Sequence, residues 1–186
     1  GADQSPFCSG WDVRDLAGLD TSARKDVARY FEAGRELLRA IEACPVPVVT
    51  AVSGVALGFG CSILAHSDLV IADVEAQFGL PEIKRGFPPA TVVPELLEAM
   101  DAREIRAWAL TGGRYDVHRA SSAGLVHRIA PAGQLAAVLT EVLAEFAGSD
   151  PAVLRQAKAL LREQQSLPLP QRRARGVAAA VDHFCK

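Results

Sequence analysis

A glycine-punctuated junction over residues 47–62 constrains this chain more than any other segment. An apolar run typical of a strand, Val48-Val49-Thr50-Ala51-Val52, leads into a turn that carries Gly54, Gly58 and Gly60 and then into a helix of small residues. Glycine lets the backbone take conformations that other residues avoid and lets a ligand approach closely. Because backbone N–H groups at such a junction point toward an anionic guest, the turn can hold a phosphate or a developing oxyanion.

Other interpretations of the junction are open. A dinucleotide-binding turn places Gly-x-Gly-x-x-Gly directly after its strand. Here Gly58-Phe59-Gly60 is followed by Cys61-Ser62-Ile63, which weakens the phosphate interpretation. The glycines could also serve only to let the strand and the helix pack tightly.

A second glycine turn lies in the segment Phe7-Cys8-Ser9-Gly10-Trp11-Asp12-Val13, where Gly10 separates a short apolar stretch from polar residues. Taken alone, Ser-Gly-Trp is also typical of a simple turn. Two loops of this kind can each supply one N–H donor. Two donors that converge on one carbonyl oxygen form an oxyanion hole, commonly a large contribution to the catalysis of acyl chemistry.

Several separated motifs together resemble the crotonase family, also called the enoyl-CoA hydratase/isomerase superfamily. The first loop resembles the family's Phe-Cys-Ala-Gly-x-Asp-Leu, and residues 52–61 resemble its Val-Asn-Gly-x-Ala-x-Gly-Gly-Gly-Cys turn. Further matching motifs follow in the family's order at residues 67–72, 76–83, 110–113 and 120–126. The resemblance covers the larger part of the chain and implies an α/β fold, a crotonase-like ββα spiral with a C-terminal helical region.

Apolar spacing predicts a succession of short strands and helices. Strands are predicted over 48–52, 68–72 and 125–129, and helices over 21–43 (with Thr21 or Ser22 at the N-cap), 93–100, 102–110, 117–123, 133–146, 151–165 and 170–184. Short strands that alternate with helices are typical of α/β architecture. We expect residues 1–148 to form the crotonase-like core, with its N-terminal strands missing, and residues 149–186 to form a C-terminal helical oligomerisation region, itself truncated.

Composition excludes several classes of protein. The 186 residues are 49% apolar, enough to bury a core without metals or disulfides, and a formal net charge of −2 gives no basic footprint for nucleic acid. Neither the four cysteines nor the histidines show metal-ligand spacing, so we predict no metal site. The chain has no apolar run long enough to span a membrane. We therefore expect a cytoplasmic protein that binds neither nucleic acid nor membranes.

Glu82 is the residue that we expect to transfer protons. It follows Pro81 in a partly apolar loop, where limited solvation would raise the carboxyl pKa and make the group a useful base or acid. From the local sequence alone it could equally be a surface glutamate that opens a helix. The resemblance favours catalysis, because this position of the Pro-Glu-Ile motif holds one of the family's two catalytic glutamates.

The family's other catalytic glutamate is absent. Two-glutamate hydratases carry it directly after the cysteine of the glycine turn, where this chain has Ser62. Two carboxylates suit the addition of water to an activated double bond, whereas one suits moving a proton between carbons of the same substrate. Single-glutamate isomerisation is therefore slightly favoured over hydration. Ser62 could position a water through its hydroxyl, or it could be only a small residue that lets the helix pack closely.

The resemblance implies an enzyme of fatty-acid metabolism, a lyase or isomerase, that stabilises the enolate of an acyl-CoA thioester. The backbone N–H groups of Trp11 and Phe59 match the family's oxyanion donors. The residues that we expect to contact the substrate are Gly10, Gly58, Gly60 and Phe87. Coenzyme A would enter as part of the substrate, and no separate cofactor is expected. A thioester decarboxylase or hydrolase on the same scaffold and a non-catalytic acyl-CoA-binding protein are the alternatives.

The two C-terminal helices carry apolar stripes. The apolar residues at helical spacing are Val153, Leu154, Ala157, Leu160 and Leu161 in the first helix and Val177, Ala180, Val181 and Phe184 in the second. Amphipathic helices most often cover their own core with such stripes. Crotonase relatives instead commonly assemble as trimers or dimers of trimers through this region, so the resemblance implies a homotrimer or homohexamer.

Overall fold

The computed structural model describes residues 5–18 and 23–185. Its helices are α1 (Val13–Gly18), α2 (Arg24–Ala43), α3 (Phe59–Ala65), α4 (Val93–Leu96), α5 (Ala102–Thr111), α6 (Val117–Ser122), α7 (Leu135–Ala147), α8 (Pro151–Gln165) and α9 (Leu169–Phe184), and a 3₁₀ turn spans Pro81–Arg85. Its strands are β1 (Val49–Val52), β2 (Val55–Leu57), β3 (Leu69–Asp73), β4 (Gln77–Gly79), β5 (Arg114–Asp116) and β6 (Arg128–Ala130).

The strands form two small sheets that run through the chain in alternation. In the first sheet β1, β3 and β6 lie side by side and are all parallel. In the second sheet β2 pairs with β4 in parallel, and β4 pairs with β5 in antiparallel fashion. Cys8 adds a single parallel bridge to Ala56, so the first glycine loop lies at the free edge of β2.

Helices that follow the strands enclose one main core. Its fully buried side chains come from both sheets and from α3, α4 and α5, and the largest of them are Trp108, Phe78, Leu64, Leu80 and Leu96. A smaller cluster packs α7 against β3 and β6 through Val142, Ile71 and Ala130. The α/β class that the sequence predicts is confirmed.

Some predicted elements differ from those observed. The strand predicted over 125–129 is observed only over Arg128–Ala130, because Leu125 and Val126 are buried in a loop rather than in a sheet. The helix predicted over 93–100 ends at Leu96 and continues as turns. The long second helix begins at Arg24, and its predicted caps at positions 21 and 22 lie outside the described residues.

The C-terminal helices α8 and α9 lie apart from the main core and pack against each other, and neither contributes a buried residue. Polar contacts hold α8 to the rest of the chain. The Lys158 ammonium donates to Asp68 at 2.6 Å and to the carbonyl of Val46 at 3.0 Å, and Arg162 donates to the carbonyl of Glu42 at 2.7 Å. Among the described residues, no helix is both long enough and apolar enough to cross a membrane.

Candidate active site

The first glycine loop lies directly against the second. The carbonyl of Cys8 accepts a hydrogen bond from Leu57 N–H at 2.8 Å, and Cys8 N–H donates to the carbonyl of Val55 at 3.0 Å. Gly10 has a φ of +94°, and a methyl group added there would lie 3.1 Å from the Leu57 carbonyl oxygen and 3.7 Å from the Phe59 nitrogen. Glycine is therefore required at position 10, because it lets the two loops approach each other.

The second loop presents a free amide at the start of α3. Gly58 has a φ of +52°, and its N–H donates to the carbonyl of Gly79 at 2.9 Å. Phe59 is the first residue of α3, so its N–H has no partner within the helix. Within the described part of the chain, neither Phe59 N–H nor Trp11 N–H donates to a backbone carbonyl. Two unengaged amides on adjacent loops are what an oxyanion hole requires.

Glu82 lies at the start of the 3₁₀ turn and is only 5% exposed. A methyl group added to Gly58 would collide with Glu82 Oε1, which places the carboxyl against the turn that presents the Phe59 amide. Among the described residues Glu82 Oε2 has no hydrogen-bond partner. Burial raises the pKa of this carboxyl above its ordinary value of 4.5, and its own backbone and the nearby Arg85 partly oppose the shift.

Ser62 lies one turn after Phe59 on α3 and is fully buried. Its hydroxyl oxygen has no hydrogen-bond partner in the described part of the chain. A buried hydroxyl without a partner costs about 1–3 kcal/mol, so native proteins seldom leave one. Ser62 and Glu82 thus each carry a buried oxygen without a hydrogen-bond partner among the described residues.

The sequence predicts that Gly60 and Phe87 contact the substrate, and these contacts stay predictions. A methyl group added at Gly60 would lie 2.8 Å from the carbonyl oxygen of Cys8, so this glycine lets the first loop pack onto α3. Phe87 is half-buried, and its N–H donates to the carbonyl of Glu82 at 3.3 Å. Gly60 therefore has a packing explanation, whereas Phe87 lies just beyond the turn that carries the carboxylate.

Sequence reasoning missed the contribution of α2 to this region. Tyr30 and Phe31 bring their rings to within 5.0 and 5.1 Å of the Trp11 ring, and Gly34 contacts the same indole with its backbone. The only signal in the sequence is a glycine three to four residues after two aromatic residues inside a helical pattern.

His66 anchors the far end of α3. Its Nδ1 lies 2.9 Å from Glu42 Oε1, and its Nε2 lies 2.8 Å from Glu95 Oε2, so one imidazole joins the ends of α2, α3 and α4. In the chain as described, no three His, Cys, Asp or Glu side chains are grouped so that they could hold a metal ion. The first and last turns of α3 are therefore both held by tertiary contacts.

Comparison with known proteins agrees with the motif order. The family model described as enoyl-CoA hydratase/isomerase matches residues 1–184. The chain belongs to this enoyl-CoA hydratase/isomerase family. The fold is likewise that of the family: human enoyl-CoA hydratase domain-containing protein 3 superimposes with a TM-score of 0.91 at 24% identity, over 98% of this chain and 72% of that protein.

Curated members of the enoyl-CoA hydratase/isomerase family include similar sequences. The 2,3-dehydroadipyl-CoA hydratase of Escherichia coli is 30% identical over 164 residues, which cover 88% of this chain and 62% of that enzyme. The (7aS)-7a-methyl-1,5-dioxo-2,3,5,6,7,7a-hexahydro-1H-indene-carboxyl-CoA hydrolase of Mycobacterium tuberculosis is 32% identical over 156 residues, which cover 83% of this chain and 61% of that enzyme. The chain thus spans less than two thirds of the length of these relatives.

Proposed function

We propose that this chain carries the catalytic core of an acyl-CoA enzyme that stabilises a thioester enolate and moves a proton with Glu82. One observation carries the proposal. The buried Glu82 carboxyl, with Oε2 unpartnered among the described residues, lies against the Gly58 turn whose next amide, Phe59 N–H, is unengaged. A carboxyl group with a raised pKa that lies beside a free amide is suited to forming an enolate and protonating it again.

In the proposed mechanism the thioester carbonyl accepts hydrogen bonds from the N–H groups of Trp11 and Phe59. As the α-carbon or γ-carbon loses its proton, negative charge develops on the carbonyl oxygen and strengthens both hydrogen bonds. Removing one such donor typically costs about 3 kcal/mol of transition-state stabilisation. Glu82 takes the proton and returns it to another carbon of the same substrate, so coenzyme A is part of the substrate and no further cofactor is needed.

Single-glutamate isomerisation is the reaction that we favour, because Ser62 stands where a second carboxylate would hold and deprotonate water. Hydration remains the nearest competitor, since the Escherichia coli relative is named a hydratase. A hydrolase on the same scaffold is the second candidate, since the Mycobacterium tuberculosis relative is named one. A decarboxylase or a non-catalytic acyl-CoA-binding protein would keep the same two loops.

The experiment that tests the proposal is an activity screen of the full-length protein against a panel of enoyl-CoA thioesters, with products identified by mass spectrometry. On the substrate that is turned over, we expect Glu82→Gln to keep the fold and thioester binding but to lower kcat roughly a hundredfold or more, because the amide keeps the shape and loses the base. Unchanged turnover in Glu82→Gln would remove Glu82 from the mechanism. Binding without turnover of any thioester would favour the non-catalytic alternative.

Ser62→Ala separates isomerisation from hydration. If one carboxylate moves the proton, the loss of a hydroxyl leaves isomerase activity nearly unchanged, whereas a mechanism in which Ser62 holds the attacking water loses hydratase activity. The measurement is the ratio of isomerised to hydrated product, with Ser122→Ala on the exposed end of α6 as a control. A large loss of isomerase activity in Ser62→Ala would contradict the single-carboxylate mechanism.

The same proposal extends to assembly and location. We propose a homotrimer or homohexamer that associates through α8 and α9, because large apolar side chains on both helices are exposed, among them Leu161 at 68% and Val177 at 66%. The division into a core of residues 1–148 and a C-terminal region of residues 149–186 and the cytoplasmic location stay predictions.

A further inference from the structure

Both residues that supply the proposed oxyanion donors carry aromatic side chains, and the two rings are in contact. The centroids of Trp11 and Phe59 are 4.6 Å apart at an interplanar angle of 37°. Phe59 is 9% exposed and belongs to the buried part of the molecule, whereas Trp11 lies on the loop before α1. The side chains therefore join the same two segments whose amides must converge.

Helix α2 closes the other side of the Trp11 ring. The Tyr30 ring lies 5.0 Å from it and the Phe31 ring meets it edge-on at 5.1 Å. At Gly34 an added methyl group would collide with Trp11 Cη2, and it would lie 2.8 Å from Cζ2 and 3.1 Å from Phe59 Cε2. The ring thus occupies the volume that any larger residue at position 34 would need.

The backbone of the first loop does not by itself fix the Trp11 amide. Within the first loop, Cys8 is the last residue that makes hydrogen bonds to β2. Gly10, two residues later, has a φ of +94°. The next described backbone hydrogen bond links Leu16 N–H to the carbonyl of Asp12, beyond the amide in question. Between these anchors the peptide is held by the ring contacts of Trp11 and by a hydrogen bond between the Asp12 backbone and the Tyr30 hydroxyl. The Phe59 amide, in contrast, is fixed by α3.

We propose that the Trp11 side chain is a positioning residue for the oxyanion hole: by packing between Phe59 and Gly34 it aligns the residue 11 amide with the Phe59 amide. This inference rests on the proposed function, because it presupposes that a thioester carbonyl binds between these two amides. A misplacement of about 1 Å in a catalytic group can lower a rate on the order of a hundredfold. Ring packing that sets the position of the residue 11 amide therefore affects the rate of the proposed reaction.

The test uses the ultraviolet absorption of bound 2,4-hexadienoyl-CoA, a conjugated thioester whose band moves to longer wavelength when its carbonyl is polarised. This shift reports the hydrogen bonds of the hole directly, and a merely structural residue would not change it at saturation. The variants are Trp11→Ala, Trp11→Leu, Trp11→Phe and Gly34→Ala. Gly148→Ala is the matched control, because an added methyl group there meets no atom within 4 Å.

We expect wild type and Gly148→Ala to give the full shift and Trp11→Phe to keep part of it, since phenylalanine retains a ring against Phe59 but lacks the Cη2 and Cζ2 atoms that reach Gly34. Trp11→Leu, Trp11→Ala and Gly34→Ala should bind the thioester with a Kd within about threefold of wild type but lose most of the shift, and kcat should fall about tenfold or more with KM little changed. Circular dichroism checks that each variant folds. If Trp11→Ala does not fold, Trp11→Leu still tests the inference.

A full shift in folded Trp11→Leu or Gly34→Ala overturns the inference while the proposed function stands. Loss of binding with a full shift at saturation also overturns it, because Trp11 would then be only a wall of the pocket. Absence of any shift in wild type with bound thioester is a different failure, because it refutes the oxyanion hole and with it the inference.

Discussion

At the scale of single residues, burial of the Glu82 carboxyl makes the stability of the folded protein depend on pH, and this dependence can be measured. Its surroundings raise its pKa, so the folded protein favours the protonated form more than the unfolded chain does. Between the two pKa values the folded state binds more protons. The contribution of this group to stability is therefore fully present below the ordinary pKa of 4.5 and is lost as the pH rises through the folded pKa.

From this linkage we expect Glu82→Gln to be more stable than wild type at neutral pH, because glutamine is never charged in the buried site. The advantage should shrink as the pH falls from the raised folded pKa toward 4.5 and be gone well below 4.5, where the wild-type carboxyl is protonated in both states. Thermal unfolding at neutral and acidic pH measures the difference. Glu98→Gln is the control for the substitution itself, because this glutamate is exposed to solvent.

At the scale of elements, α3 and the first loop depend on a glycine at their crossing. Alanine at an interior helix position is normally about 1 kcal/mol more favourable than glycine. Gly60→Ala should do the opposite, because its methyl group would lie 2.8 Å from the Cys8 carbonyl oxygen and 2.9 Å from Cys8 Cβ. Cys8 cannot retreat without breaking its two hydrogen bonds to β2.

We therefore expect Gly60→Ala to lower Tm and thioester turnover together, since the first loop would be pushed away from the second. Gly176→Ala in α9 is the matched helical glycine, because its methyl group would meet only Gln164 Nε2 at 3.7 Å. Differential scanning calorimetry of both variants makes the comparison. A Gly60→Ala protein as stable as Gly176→Ala would show that the two elements are not in tight contact.

At the scale of the whole molecule, helices α8 and α9 expose apolar surface that the described part of the chain leaves uncovered. Phe184 is 83% exposed and Val181 is 52% exposed. A cleft of about 460 Å³ opens between α8 and α9 and is lined by Val153, Leu160 and Ala180 among others. Exposed apolar patches of this kind mark interaction sites in soluble proteins.

Light scattering coupled to size-exclusion chromatography of the full-length protein should give a multiple of three subunits. Replacing Val177 and Val181 together by glutamate should shift the protein toward monomer, since two charges would be buried in the interface. Arg173→Glu, on the exposed start of α9, is the control and should leave the assembly intact. Wild type that is monomeric at micromolar concentration would contradict the proposed assembly.

The sequence by itself determined the family, the α/β class and the helices with strong local signals. Motif order along the chain predicted the crotonase family, and the family model and the fold confirm it. The helix predicted over 151–165 is α8 to the residue, because Asp150 caps Ala152 N–H at 2.6 Å and Pro151 suits the first turn. The local sequence left open whether Glu82 is poorly solvated or lies on the surface, and the structure buries it, whereas its catalytic role stays a prediction.

Only the tertiary structure decided which parts of the chain meet at the candidate site. Strands β2 and β5 have three residues each, too few for a recognisable alternation, and they exist because neighbours distant in sequence pair with them. The contact between Trp11 and α2 has the same origin, since Gly34 accepts the ring only after the loop and helix have packed. Local patterns encode helices and turns, but distances between segments arise from packing, which no local pattern records.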